Sequence, residues 1–316
     1  MPQESPSHRR LTKKPVRWLL AAVIVMAAGA GAGWYIARPQ RVEIPLEGSV
    51  ARARPASALG APVRVGIVAV ANGDSVANGA LTAAAGLLRA QLASERDLVL
   101  VPMPDSERCG GAAPVHLCLE LAAARAPDAT TLTFSLLDQR THTVLSDFRT
   151  TVDASSGTED LRPLVSRVAL WSAPGAFPLV DGAAADLAVY RDAVRAFTSC
   201  DPVALNESRR ALRALAERPS PVRPADALLV LMDALDMQAR NDAEGIATIR
   251  AKSQDVSARA PEQVMALAAV AVSQANPSAR DAVARIAANN VRAHSPGIAD
   301  ATEAAALCLA AVHQAR

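Results

Sequence analysis

The sequence predicts an α/β plus α fold class: one transmembrane helix near the amino terminus, a small α/β unit over residues 63–175, and an all-α repeat-like unit over residues 183–316. Three observations lead to this prediction. Residues 18–37 carry no charge. Short β-branched runs then alternate with amphipathic stretches, which is typical of α/β proteins. Beyond residue 183 the apolar residues recur at helical spacing between Pro, Asn and Asp breaks.

Composition narrows the function classes before any motif is considered. The 316 residues are 51% hydrophobic but only 3% aromatic, so few large side chains remain for a cofactor pocket. Residues 1–17 carry five basic side chains and one acid, a charge of +4. Since the whole chain carries +2, the remainder carries −2. No basic domain is left for nucleic acid, and no nucleic-acid partner is expected.

Residues 18–37 are expected to cross a bilayer. At about 1.5 Å per residue they span about 30 Å, and Trp18 and Trp34 stand near the two ends, where aromatic rings prefer the headgroups. The basic stub of residues 1–17 places the amino terminus in the cytoplasm. The bulk of the chain is then in the periplasm, anchored in a bacterial inner membrane. The alternative is a signal peptide cleaved after an A-x-A site at residues 30–32.

Gly29 and Gly33 form a G-x-x-x-G pair within this segment. Small residues at this spacing let two transmembrane helices approach closely, which predicts a homodimer. The same pattern also arises from Gly- and Ala-rich composition alone, without any interface. Residues 38–62 follow with four prolines and no periodicity, as expected of a linker.

The α/β unit is predicted to be a βαβ unit, then a three-stranded meander, then a helix. The expected elements are strands over 63–70, 98–101, 115–121, 130–138 and 143–152, a helix over about 78–95, and a second helix opened by a capping box at 156–159. The alternation of apolar and polar residues in the meander predicts strands that are buried on one face.

The α/β unit resembles a known family. The run VRVGIVAVAN, the helix start NGALT, then LCLELAA, TLTFSLLD and TVLSD follow in the order found in TolB-like amino-terminal (FlgO-like) domains. The resemblance covers about residues 63–175. It implies a domain found outside the membrane in CadC-like transmembrane regulators, often followed by tetratricopeptide helices. Seventeen residues precede the apolar segment, too few for the winged-helix domain of such regulators.

Seven helices are predicted in the second unit. They are expected near 184–199, 203–217, 225–240, 243–259, 262–275, 278–293 and 299–314. Taken as pairs they span 184–217, 225–259 and 262–294, which is 33–35 residues per pair and resembles tetratricopeptide hairpins followed by a terminal helix. The signature Trp and Tyr of that repeat are missing, and a helical bundle is the alternative.

Four cysteines all follow the apolar segment and therefore lie in the oxidising compartment. The predicted pairs are Cys109–Cys118 and Cys200–Cys308, each worth about 2–4 kcal/mol. Buried free thiols are the alternative. His116, Cys118 and Glu120 share a strand face near Cys109. Without a second nearby histidine, a solvated face is favoured, and neither a metal nor a cofactor is expected.

Gly73-Asp74-Ser75-Val76 follows the first strand and is similar to the first block of GDSL-type hydrolases, whose serine is the nucleophile. Such an enzyme also needs a general base and oxyanion donors. Asp138 and His142 are one residue too far apart for the D-x-x-H block of that family, and no Gly-x-Asn-Asp block occurs. No catalysis is expected, with a hydrolase using Ser75 as an alternative.

The resemblance and the predicted topology together imply a non-catalytic interaction or sensing module in envelope signalling. Its expected partners are the inner membrane and a protein in the membrane or periplasm. A structural scaffold of an envelope assembly is the alternative.

Overall fold

The computed structural model describes residues 62–103, 109, 115–126, 129–139, 141–153, 161–173, 184–199, 201–217, 223–259, 263–274 and 282–314. The predicted membrane segment, with Gly29 and Gly33, and nearly all of the predicted linker lie outside these residues. Within the described residues no helix is long and apolar enough to cross a membrane. All of them belong to one compact unit.

Five strands form a mixed sheet. They are β1 (Val63–Val70), β2 (Leu98–Val101), β3 (Leu117–Arg125), β4 (Ala129–Asp138) and β5 (Val144–Asp153). The spatial order is β2-β1-β3-β4-β5. β1 is parallel to both of its neighbours, and the other pairs are antiparallel. The predicted βαβ unit and meander are therefore both present.

Helix α1 (Ser75–Leu92) packs against strands β1 to β4. It begins three residues before the predicted start because the Asp74 carboxylate accepts hydrogen bonds from the N–H groups of Val76 (2.9 Å) and Ala77 (3.1 Å). This is N-capping, which satisfies donors that the first helical turn leaves free. Leu81 and Leu88 of its buried face belong to the main core, as the predicted periodicity requires.

Helix α2 (Arg162–Ser172) follows the sheet. The capping box predicted at 156–159 lies outside the described residues, and α2 itself begins after Leu161, whose side chain makes no capping bond. The Arg167 guanidinium lies over the Phe148 ring, 5.4 Å from its centroid, and donates to the Asp147 carbonyl oxygen at 2.6 Å. Burial lowers the pKa of Arg167. These contacts hold α2 to the edge strand β5.

Among the described residues seven helices follow, as predicted. They are α3 (Ala184–Ser199), α4 (Pro202–Ala216), α5 (Arg223–Ala239), α6 (Ala243–Arg259), α7 (Val264–Gln274), α8 (Ala282–His294) and α9 (Pro296–Gln314). Successive pairs α3–α4, α5–α6 and α7–α8 pack as hairpins, and α5 also packs on α7. One hydrophobic core runs from the sheet through α2 into these helices. Trp171 and Tyr190 meet edge to face within it, 5.0 Å apart.

The last helix does not extend the row of hairpins. Helix α9 folds back and contacts α2, α3, α4, α5, α7 and α8. Its buried residues are Gly297, Ile298, Ala299, Ala301, Ala305 and Leu309. Helix α9 therefore connects the three hairpins with one another and with α2.

Candidate functional site

The carboxyl edge of the parallel strands is the position at which this sheet topology predicts a ligand site. β1 lies between β2 and β3, and in open α/β sheets ligands bind outside the carboxyl ends of strands where the strand order reverses. Ser75, the candidate nucleophile, lies here at the first residue of α1 and is exposed.

Polar groups at this edge form hydrogen bonds with one another. Asn72 Nδ2 donates to the carbonyl oxygen of Ala123 on β3 at 2.6 Å. Asn78 Nδ2 donates to the Asn72 carbonyl oxygen at 2.7 Å, and Asn78 Oδ1 accepts from the Asn72 N–H at 3.0 Å. The Asp74 carboxylate occupies the helix N-terminus, where an anionic ligand would otherwise bind. The side chains of Asn72, Asp74 and Asn78 thus hydrogen-bond to backbone groups at this edge.

Ser75 follows the carboxyl end of β1, but three of the described histidines lie toward its amino end: His116, His142 and His294. His116 Nδ1 accepts a hydrogen bond at 3.1 Å from the N–H of the second residue of β1. His294 Nε2 lies 2.9 Å from the carboxylate of Asp97, in the segment that leads into β2. The fourth described histidine, on α9, contacts a carboxylate of α5. The structure therefore does not bring Ser75 together with any of these four.

The predicted disulfide between Cys109 and Cys118 is confirmed. Cys118 is buried and packs with Val68 and Val115 in a small cluster separate from the main core, so the bond ties the β2–β3 connection to β3. A cysteine in a disulfide supplies no thiolate for a metal. Within the described residues no group of His, Cys, Asp and Glu side chains is placed to hold a metal ion.

Cys308 also takes part in a disulfide, and none of the described cysteines is a free thiol. Cys200 lies outside the described residues. The pairing of Cys200 with Cys308 stays a prediction.

A buried polar contact joins the segment after α1 to the start of α9. The Glu95 carboxylate, only 5% exposed, accepts hydrogen bonds from Ser295 Oγ (2.5 Å) and from the N–H of Gly297 (2.6 Å). Burial raises the pKa of the Glu95 carboxyl, and this outweighs the two hydrogen bonds, which favour the charged form. We call this contact between Glu95 and residues 295–297 the clasp.

Little room is left for a side chain at Gly297. A Cβ atom there would lie 2.9 Å from Glu95 Oε1, 3.0 Å from Ala169 Cβ and 3.2 Å from the Val165 carbonyl oxygen. Ser166 Oγ also donates to the Gly297 carbonyl oxygen at 2.8 Å. The first turn of α9 therefore packs between α2 and Glu95 and hydrogen-bonds to both. The sequence analysis missed this contact, because residues 295–297 fall between the helices predicted at 278–293 and 299–314.

A charged cluster lies between α4 and α5. Arg209 places Nη2 2.6 Å from Asp233 Oδ1 and Nη1 2.9 Å from Asp236 Oδ2. Both carboxylates are buried, and His313 Nε2 of α9 lies 3.5 Å from Asp236 Oδ1. Buried charges need such partners because removing them from water costs several kcal/mol each. The spacing of Asp233 and Asp236, three residues apart in an apolar helix, was the sequence signal that could have revealed the cluster.

Helix α9 lies in a cleft beside this cluster. A small hollow of about 10 Å³, room for about one water molecule, is lined by residues of four helices. They are Phe197, Leu205, Asn206, Arg209, Met232, Leu235, Asp236, Ala305 and Leu309. We call the place where α9 packs against α3, α4 and α5 the α9 cleft; α4 and α5 also pack directly on each other.

No model of a known protein family matches this chain, and no curated protein is significantly similar to it. The resemblance to TolB-like domains therefore rests on the residue pattern and stays a prediction. The fold class is established at a coarser level: a mixed five-stranded sheet with a helix, followed by a largely helical region of seven described helices.

Proposed function

We propose that the protein is a non-catalytic interaction or sensing module of the bacterial envelope, anchored in the inner membrane by residues 18–37. The observation that carries the proposal is the helical unit, in which three hairpins pack side by side and a further helix is seated in a cleft. Helices held in apolar grooves are a recurring mode of protein recognition.

The finer family assignment belongs to the same proposal. A TolB-like α/β unit followed by tetratricopeptide-like hairpins is supported by the βαβ-plus-meander topology and by the packing of α5 on α7, the first helices of successive hairpins. The membrane anchor is supported by the uncharged length of residues 18–37 and by the basic stub before it. Recovery of the protein with Met1 intact from carbonate-washed membranes is expected. A mature start near Gly33 would instead mean a cleaved signal peptide.

The side chains of the turn around Ser75 hydrogen-bond to the backbone of the turn and of β3, which supports a non-catalytic role over a serine hydrolase. A hydrolase needs a base within about 3 Å of the nucleophile, and the polar partners at this edge are already used by the turn. Purified protein is expected to leave an aryl ester intact. Hydrolysis that disappears in Ser75→Ala but persists in Ser94→Ala would establish the hydrolase instead.

Crosslinking in cells followed by affinity purification from membranes tests the interaction role. A sensing module is expected to co-purify with a protein that has a cytoplasmic output domain. A structural scaffold would co-purify with an envelope complex instead. Recovery of no crosslinked partner under conditions that capture a known membrane complex would contradict both roles.

A further inference from the structure

The two edge strands of the sheet differ in length. β2 has 4 residues and β5 has 10. An edge strand leaves one row of backbone N–H and C=O groups without a neighbouring strand. Among the described elements β5 packs mainly on β4 and has a smaller contact with α3. The longer row of backbone groups at a sheet edge is therefore that of β5.

Side chains of the neighbouring helices hold the first part of the β5 edge. The Asp147 carbonyl oxygen accepts a hydrogen bond from Arg167 Nη1 at 2.6 Å, and the Asp147 carboxylate lies 3.1 Å from Arg195 Nη2. The backbone of Asp147 therefore faces away from β4. The irregularity in the β4–β5 ladder lies before this residue, so the ladder is regular from Ser146 to Asp153.

Exposed residues follow on the second part of the β5 edge. Backbone direction alternates along an antiparallel strand, so the N–H and C=O groups of Arg149, Thr151 and Asp153 face away from β4, as those of Asp147 do. Arg149 and Thr151 are exposed, and Arg149 makes no ion pair with any described residue. This part of the edge has the geometry that the addition of a further strand requires.

The charges on this part of the edge complement those of a second copy. Charges often protect an edge strand from pairing, but here the two signs stand two residues to either side of Thr151. If two β5 strands pair antiparallel about a two-fold axis at Thr151, Arg149 of each copy is opposite Asp153 of the other. Directly opposed charges of opposite sign stabilise strand pairing, and like charges destabilise it.

Other positions of the axis bring like charges together. An axis at Thr150 would place Asp147 of each copy opposite Asp153 of the other. An axis at Arg149 would place the two copies of this arginine opposite each other. The charge pattern therefore favours the axis at Thr151 over both.

We propose that the protein forms a homodimer by antiparallel pairing of two β5 strands about Thr151, which joins two five-stranded sheets into one continuous sheet. The interface is isologous, as in most two-fold dimers. In each copy the α3 contact is at Asp147, about 14 Å along the strand from the axis, so the α3 helices of the two copies lie at opposite ends of the paired segment. This inference goes beyond the proposed function and does not depend on it.

Analytical ultracentrifugation of the full chain in detergent micelles measures the dimer Kd. Every sample carries Gly29→Leu and Gly33→Leu, so that the predicted transmembrane helix does not contribute to association. Arg149→Asp and Asp153→Arg, made singly, each place like charges at both opposed positions and are expected to raise Kd by about tenfold or more. Arg210→Asp changes an exposed residue of α4 and is the matched control, with Kd expected to stay within about twofold.

Mixing the two single variants tests the register of the pairing. One copy then has acids at positions 149 and 153 and the other has bases there, so both opposed pairs regain opposite charge. The mixture, and the double variant Arg149→Asp/Asp153→Arg, are expected to dimerise with about the Kd of the parent chain. A parent chain that is monomeric at its highest soluble concentration, single variants with the parent's Kd, or a mixture that forms no dimer would each overturn the proposal.

A covalent crosslink gives a second test that stands even if a charge variant does not fold. Thr151→Cys places two thiols on the axis, with Cα atoms about 5.5 Å apart, which a disulfide can span. β4 pairs Thr131 with Thr151, so Thr131→Cys is the matched control, with its two copies about 14 Å apart. Air oxidation is expected to give a crosslinked dimer with Thr151→Cys only. Equal yields from both variants, or no dimer from Thr151→Cys, would overturn the proposal.

Discussion

Replacing Glu95 by alanine is expected to lower the free energy of unfolding by about 2–4 kcal/mol. The Glu95 carboxylate is the acceptor for the buried donors Ser295 Oγ and Gly297 N–H. Alanine leaves both donors without this partner, at about 1–3 kcal/mol each. Burial of the Glu95 carboxylate destabilises the folded wild-type protein, and alanine removes this destabilisation. The loss from the unpaired donors is therefore partly offset. Together the two donors would cost about 2–6 kcal/mol, and the offset makes a loss of about 2–4 kcal/mol the expected value.

Urea unfolding of the full chain in detergent, followed by circular dichroism, measures this change as a shift in midpoint at constant m. Glu207→Ala is the matched control because Glu207 is exposed on α4, and a change within about 0.5 kcal/mol is expected for it. Glu95→Gln keeps the size and one acceptor oxygen and should fall between the two. Equal midpoints for Glu95→Ala and Glu207→Ala would refute a stabilising role for the clasp.

Three further predictions concern charge and covalent ties. Because the folded pKa of Glu95 lies above its ordinary value of 4.5, its contribution to stability is full below that value and is lost as the pH rises through the folded pKa. Wild-type stability relative to Glu95→Gln should therefore fall with rising pH in urea titrations, and a flat difference would contradict this. Arg209→Ala should cost about 1.5–3 kcal/mol in the same assay, because it removes the shortest ion pairs of Asp233 and Asp236 while Arg213 and Arg240 stay beside these carboxylates. Exposed Arg210→Ala should cost about 0.5 kcal/mol, and similar losses for the two variants would contradict the prediction. Replacing Cys109 and Cys118 together by serine should cost about 2–3 kcal/mol, given their separation of 9 residues, and an unchanged melting temperature would contradict this.

Elements with a strong local pattern were predictable from the sequence. In β4, Leu132, Phe134 and Leu136 alternate with less buried neighbours, and all three are in the core. The seven described helices after α2 lie close to their predicted bounds because Pro, Asn and Asp mark their ends. The early start of α1 was missed although its signal, an N-capping Asp74, is local.

The parts that could not be predicted depend on residues far apart in the chain. Glu95 and Ser295 are separated by 200 positions, and neither lies in a periodic pattern that would point to the other. The return of α9 into its cleft is equally non-local, since repeat spacing describes only neighbouring hairpins. Ser75 illustrates the reverse case: a local motif suggested a site, but the described histidines lie elsewhere in the fold.

The most direct test of the account is the yield of partner crosslinked to the full chain in cells and recovered from carbonate-washed membranes. We expect the intact, membrane-bound protein to capture a membrane or periplasmic protein. Loss of the protein from washed membranes, or a complete absence of captured partner, would contradict the proposal of a membrane-anchored interaction module.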